Sequence, residues 1–395
     1  MIEILFWFSI FMIFYAYFGY PICLLVLSLF KRSSVLVKSQ NEVFTPKVSF
    51  IIAAYNEEAR METKIKETLR LDYPKESLEI IVASDCSSDK TDAIVSSFAK
   101  EGVILVRTPE RKGKENAQKY AVQASNGEVL IFSDVATILD PDSIENVVKN
   151  FKDPKVGCVS SEDRFIGKDG KITGEGAYVK YEMFLRKLES RVNTLVGLSG
   201  SFFAARSRVC ENWADDLQSD FNTLLNSIKL NMIGVADPNT VGYYHDLADE
   251  KKEFNRKVRT VLRGISVFMN NLSLLNPLKF GLFSWQLFSH KLCRWLVPIF
   301  LIIAMFTNIC LLSSNFFFFV FVLQVLFYSM VGYYYKNEIL GTKKRINTAK
   351  SNLNKQVLAT LRIPYFFVSV NVSILVAWWK YCIGERVVFW DPSKR

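Results

Sequence analysis

The residues able to do chemistry fall in a pattern: Glu57, Asp85, Asp89 and Asp134 each follow a short apolar run. Such runs, bounded by turn signals, read as buried strands. A carboxylate just past a strand's carboxyl end stands at the sheet edge where open α/β sheets bind ligands. Mg²⁺ and Mn²⁺ prefer oxygen ligands, so Asp134, after the run 129–132, can hold a divalent cation against a phosphate. Its plainer reading is a turn cap. Two further clusters stand out, the glycine-interrupted basic loop Arg111-Lys112-Gly113-Lys114 and the acidic run from Asp215 to Asp220. The latter precedes an apolar-periodic segment, 221–230, where acids also cap a helix and offset its dipole.

The elements that must position these residues are strands at 48–55, 78–83, 103–107 and 129–132. Helices at about 59–71, 91–99 and 115–124, and one starting near Pro141, alternate with them. Such alternation implies right-handed βαβ units and an α/β fold with a mostly parallel sheet, which gathers the carboxylates on one edge. Beyond Val156 the pattern is mixed. It has Gly-rich turns at 167–170 and 174–176, a helix containing Tyr181, Glu182 and Arg186, and the run 196–206.

Half of the 395 residues are hydrophobic, Phe alone accounting for 32, and this excess points to membrane contact. Residues 4–30 carry no charge and exceed the roughly 20 needed to cross a bilayer. Glu3 in place of a basic start, and no small-residue cleavage pattern, make 1–31 a retained helix rather than a signal. Lys31 and Arg32 follow, which puts the next domain, 46–265, in the cytoplasm. Residues 266–294 read as interfacial helices, with Lys279, His290, Lys291 and Arg294 interleaved among apolar side chains. Residues 295–335 read as a transmembrane hairpin broken at Ser313-Ser314-Asn315. In 336–395 a basic loop precedes a shorter segment, 363–379, containing Ser369, Asn371 and Ser373. It is expected to re-enter or lie in the interface, leaving a cytoplasmic tail.

The net charge of +10 suits anionic head groups, and no module for nucleic acid is present. Seven scattered Cys without C-x-x-C spacing argue against zinc or a disulfide framework.

Ile51-Ile52-Ala53-Ala54-Tyr55-Asn56-Glu57-Glu58, Ser84-Asp85-Cys86-Ser87-Ser88-Asp89, Lys112-Gly113-Lys114, Phe132-Ser133-Asp134 and Ser219-Asp220-Phe221 follow one another in the order and spacing of the family 2 glycosyltransferases. The chain most resembles their membrane-bound, polysaccharide-synthase-like branch, which includes cellulose and hyaluronan synthases. The resemblance implies a GT-A fold and inverting transfer from a nucleotide sugar, UDP-linked, to a lipid-linked or growing glycan acceptor. It implies an integral protein of the plasma membrane working beside other glycan-assembly proteins. A processive synthase, or a non-catalytic nucleotide-sugar-binding subunit, are the alternatives.

By the same resemblance Ala54, Tyr55, Glu57 and Asp85 contact the nucleoside, while Lys114, with Lys112, neutralises phosphate. Asp134 binds the Mg²⁺ or Mn²⁺ that bridges the diphosphate, and Asp220 is the catalytic base. The family's D-x-D is incomplete, because Ala136 stands two after Asp134. His245 is a spare ligand or, more simply, a structural histidine. Arg256 and Arg259 occupy the place of Q-x-x-R-W and can clamp the diphosphate, although lipid phosphates attract such residues too.

Overall fold

The computed structural model describes residues 1–30, 44–166, 177–245, 250–340 and 352–387. The Gly-rich turns, most of the linker after the first helix, the loop 341–351 and the tail beyond 387 lie outside these, as does the His245 side chain. The chain divides into two compact units, one comprising Pro21–Asp246 and Ser266–Leu287, the other Met1–Tyr20, Leu247–Ile265 and Phe288–Arg386.

The first unit is built on an eight-stranded sheet. Its strands are β1 Val48–Ala54, β2 Leu78–Ser84, β3 Val103–Arg107, β4 Val129–Asp134, β5 Ile138–Leu139, β6 Val156–Ile166, β7 Phe202–Arg206 and β8 Ile233–His245. The spatial order is β3-β2-β1-β4-β7-β6-β8-β5. The first four strands pair in parallel, as do β6 and β8, whereas β7 runs antiparallel to both β4 and β6.

Every residue of β1 is buried, as a central strand covered on both faces requires. Alternate residues feed two cores. Phe50, Ile52, Val82 and Ile131 pack with Met61 and Ile65 of the helix Met61–Leu69. Ile51, Ile81, Leu130 and Phe132 pack instead with Ala117 and Ala121 of the helix Lys114–Ala124. Gly127 admits β4 beside β1, since a Cβ there would lie 2.4 Å from the Ser49 backbone nitrogen.

Register then brings the strand ends level. Ala53 pairs with Asp134 and Ala54 with Ser84, so Tyr55, Asp85 and Asp134 emerge at one edge.

Among the described residues, four helices are long and apolar enough to cross a membrane: Ile2–Phe30, Leu282–Cys310, Asn315–Asn337 and Thr360–Cys382. Two boundaries differ from the sequence reading. The segment around 277–294 is not a separate interfacial helix. A short helix, Pro277–Phe280, stops at Gly281 (φ +54°), and the chain from Leu282 runs through a π-helical stretch, Phe288–Cys293, directly into Arg294–Cys310.

The last segment is a single unbroken helix, Asn352–Cys382, with no break for a re-entrant turn. Its polar residues do not interrupt it because they bond back to their own helix. Asn371 Nδ2 donates to the Phe367 carbonyl at 2.9 Å and Ser373 Oγ to the Val370 carbonyl at 2.7 Å.

Candidate functional site

At the end of β2, Asp85 is buried and accepts two backbone N–H bonds, from Lys112 at 3.0 Å and Gly113 at 2.8 Å. This carboxylate therefore ties down the basic loop rather than closing a turn of its own. Gly113 has φ +100°, a conformation that only glycine adopts freely, and it starts the helix Lys114–Ala124. Beside it the Arg111 guanidinium lies 3.8 Å from the Tyr55 ring centre. Ala53, Ala54, Tyr55, Asp85, Lys114 and Ala117 line one small pocket.

Side-chain alternation along β4 decides what flanks it. Asp134, its last residue, faces the helix Lys114–Ala124, and Lys114 Nζ meets its Oδ1 at 2.5 Å. Lys114 Nζ also donates to the Gly200 carbonyl at 2.9 Å. Ser133 faces the opposite helix, Met61–Leu69, where the buried Lys64 donates to Ser133 Oγ at 2.9 Å and to the Thr137 carbonyl at 2.6 Å. Burial pushes the Lys64 pKa down to about 8, against the opposing pull of Glu67 and Asp134.

The loop before β7 reaches the same edge, because β7 runs antiparallel to β4 and begins where β4 ends. Ser201 O accepts the Asp134 N–H at 2.9 Å. A Cβ on Gly200 would sit 3.2 Å from Asp220 Oδ2. Gly200 thus accepts from Lys114 through its carbonyl, and the space that a side chain there would fill abuts Asp220.

Asp220 is buried and is not the helix cap. Gln218 takes that position ahead of Ser219–Lys229, and its amide donates to Asp220 Oδ2 at 3.0 Å.

The structure brings Ala54, Tyr55, Asp85, Lys114 and Asp134 together, with Asp220 joined through Gly200. Glu57 is paired within its own segment. It is buried and held bidentately by Arg60 at 2.8 and 2.9 Å, while burial raises its pKa against the lowering by Arg60. The Lys112 ammonium pairs with Glu110 at the surface. Arg256 and Arg259 belong to the other unit, on the helix Glu250–Met269, where Arg256 is chelated by Glu253. Lys64 and Gly200 carried no role in the sequence reading. The signal for Lys64 was its place on the apolar stripe 61, 64, 65, 68 of its helix.

Among the described residues no group of three or more His, Cys, Asp or Glu could enclose a metal ion. Asp134 alone still suits a hard cation shared with phosphates, which commonly takes only one or two protein carboxylates. Its Oδ1 is engaged by Lys114, whereas Oδ2 makes no hydrogen bond among the described residues. The set thus offers an aromatic face at Tyr55, a cation at Lys114 and carboxylates at Asp134 and Asp220.

Residues 49–213 match the family model described as Glycosyl transferase family 2. The chain is 28% identical over 192 residues to a poly-beta-1,6-N-acetyl-D-glucosamine synthase of Staphylococcus epidermidis, a match covering 47% of this chain and 46% of the relative. With the enzyme of the same name from Staphylococcus aureus strain COL it shares 30% over 159 residues, 38% of each. The chain thus spans less than half the length of the curated relatives it matches. In fold it resembles a mannosyltransferase from Pyrobaculum calidifontis solved in complex with GDP-Man and Mn²⁺. That match has a TM-score of 0.69 at 19% identity and covers 98% of this chain and all of the other. The architecture is accordingly GT-A, a mixed, mostly parallel sheet with helices at both ends of the chain that are able to span a membrane.

Proposed function

We propose that this protein, whose residues 49–213 match the Glycosyl transferase family 2 model, is a membrane-bound inverting glycosyltransferase. It moves a sugar from a nucleotide diphosphate donor, a UDP-sugar by the sequence resemblance, to a hydroxyl of a lipid-linked or growing glycan acceptor. The observation that carries this reading is the joined set of Tyr55, Asp85, Lys114 and Asp134, linked through Gly200 to Asp220.

In this reading Tyr55, backed by the Arg111 guanidinium, stacks on the base, and the loop pinned by Asp85 shapes the nucleoside end. Lys114 turns its ammonium to the diphosphate. Asp134 offers its Oδ2 to Mg²⁺ or Mn²⁺, which supplies charge to stabilise the departing nucleoside diphosphate. Asp220 accepts the proton of the acceptor hydroxyl as that oxygen bonds to the anomeric carbon. The bond from this carbon to the phosphate oxygen breaks with its electron pair, and attack from the opposite face inverts the centre. The phosphate role of Arg256 and Arg259 rests on the sequence resemblance alone. With Lys31 and Arg32 after the first span, the domain works at the cytoplasmic face of the plasma membrane.

Synthesis of a polymer is a second reading, favoured by the similarity to the staphylococcal poly-beta-1,6-N-acetyl-D-glucosamine synthases. Membranes containing the protein, incubated with radiolabelled UDP- and GDP-sugars, test both, since a ladder of products marks a polymerase and a single addition a simple transferase. Asp220→Asn is expected to lower turnover about 10²- to 10⁴-fold while leaving nucleotide binding intact. Undiminished turnover refutes the base assignment. A wild type that turns over no donor leaves a non-catalytic nucleotide-sugar-binding subunit.

A further inference from the structure

The stripe of Met61–Leu69 that packs on the sheet contains a lysine where apolar side chains are the rule. Lys64 is only 3% exposed and makes no ion pair among the described residues, its head meeting two neutral oxygens, Ser133 Oγ and the Thr137 carbonyl. Burying an ammonium without a contacting carboxylate is costly, and packing alone would be served as well by Met or Leu. What this ammonium holds is therefore informative.

Its two oxygens bracket Asp134, one immediately before it and one three residues after. Ser133 Oγ also reaches the Asp134 carbonyl at 3.2 Å. From the neighbouring strand, just ahead of β7, the Ser201 carbonyl takes the Asp134 N–H at 2.9 Å and the Thr137 hydroxyl at 3.2 Å. The turn 133–137 is thus held laterally by the chain entering β7 and from one face of the sheet by Lys64, the charged member of the pair. Ala136 supplies no second carboxylate, so the direction of one side chain decides where a cation can sit. A hydrocarbon at position 64 would fill the same space and hold neither oxygen.

We propose that Lys64 is a positioning residue whose buried ammonium fixes the 133–137 turn, so that Asp134 presents its open oxygen to the cation and the diphosphate. This rests on the role given to Asp134 above.

The test uses the full-length protein in detergent, carrying Lys64→Met or, separately, Ser133→Ala. Calorimetry compares Mn²⁺ with UDP or GDP against uridine or guanosine alone. Lys64→Met is expected to weaken the Mn²⁺-diphosphate complex by about tenfold or more, and Ser133→Ala by less, while nucleoside binding at Tyr55 stays within about twofold. In turnover the donor KM rises along with the loss in kcat. Variants that bind the Mn²⁺-diphosphate as wild type does overturn the proposal. So do variants that lose nucleoside and diphosphate binding in equal measure, which marks a purely structural lysine. If Lys64→Met does not fold, Ser133→Ala decides by the same criteria. A wild type that binds neither UDP nor GDP with Mn²⁺ overturns the reading of Asp134 itself, and this one with it.

Discussion

Replacing Lys64 by Met removes a proton-binding group that the fold treats differently from water, and the difference can be read as stability. The ammonium's ordinary pKa of 10.5 falls to about 8 on burial. Between those values the unfolded chain holds a proton that the folded chain lacks, so unfolding takes up a proton and stability rises with pH. The contribution is fully present above 10.5 and is lost as pH falls through about 8. At ~1.4 kcal/mol per tenfold, the gap between 10.5 and about 8 corresponds to an upper bound of ~3–4 kcal/mol. Lys64→Met has no such proton to take up. The stability of wild type minus that of the variant should therefore climb by up to that amount between pH 8 and pH 10.5. Trp213, stacked on Phe132 of β4 with ring centres 4.9 Å apart, gives a fluorescence signal from this sheet for melts across that range. A difference that stays flat, or that shrinks as pH rises, refutes the reasoning.

Lys114→Met should weaken nucleoside diphosphate binding by about 10- to 100-fold, the worth of a charge-assisted hydrogen bond, with nucleoside binding unchanged; titration calorimetry reads both. Excess EDTA should abolish sugar transfer, and added Mn²⁺ or Mg²⁺ should restore it; transfer that persists in the chelator removes Asp134 from its assigned role. Gly127→Ala forces a Cβ to within 2.4 Å of the Ser49 nitrogen and should cost ~3 kcal/mol or more, seen as a lowered melting temperature. Gly200→Ala is milder, because its Cβ meets Asp220 Oδ2 at 3.2 Å and a carboxylate can rotate. It should lower kcat more than it lowers the melting temperature.

The parallel half of the sheet was legible because buried strands there are unbroken apolar runs with carboxylates at their ends. The strand 103–107 coincides with β3, and Asp134, expected just past its strand, is that strand's last residue. The other half was not legible. β8 runs through Asp237-Pro238-Asn239, which reads locally as a turn and becomes strand only through its long, bulged pairing with β6. The reversal at β7 depends on pairing with strands distant in sequence, so residues 196–206 showed a motif but no direction. Asp220, read as the base by resemblance, kept a cap as its plainer alternative, since an acid ahead of an apolar run usually is one, yet the chain enters that helix two residues earlier. Lys64 was overlooked because lysine by type reads as solvent-facing, whereas its position on the stripe says the opposite.

The seam between β4 and β7 has a practical consequence for redesign. Strands β1 to β4 contribute their exits to the shared edge, whereas β7 contributes its entrance, so the loop carrying Gly200 and Ser201 arrives from a separate stretch of chain. The part built on β1 to β4 and the loop before β7 can therefore be varied separately. Grafting a foreign loop between the helix Ala177–Val192 and β7 leaves the Tyr55, Asp85 and Lys114 scaffold uncut, provided that it keeps a residue without a side chain opposite Asp220 and a carbonyl for Lys114.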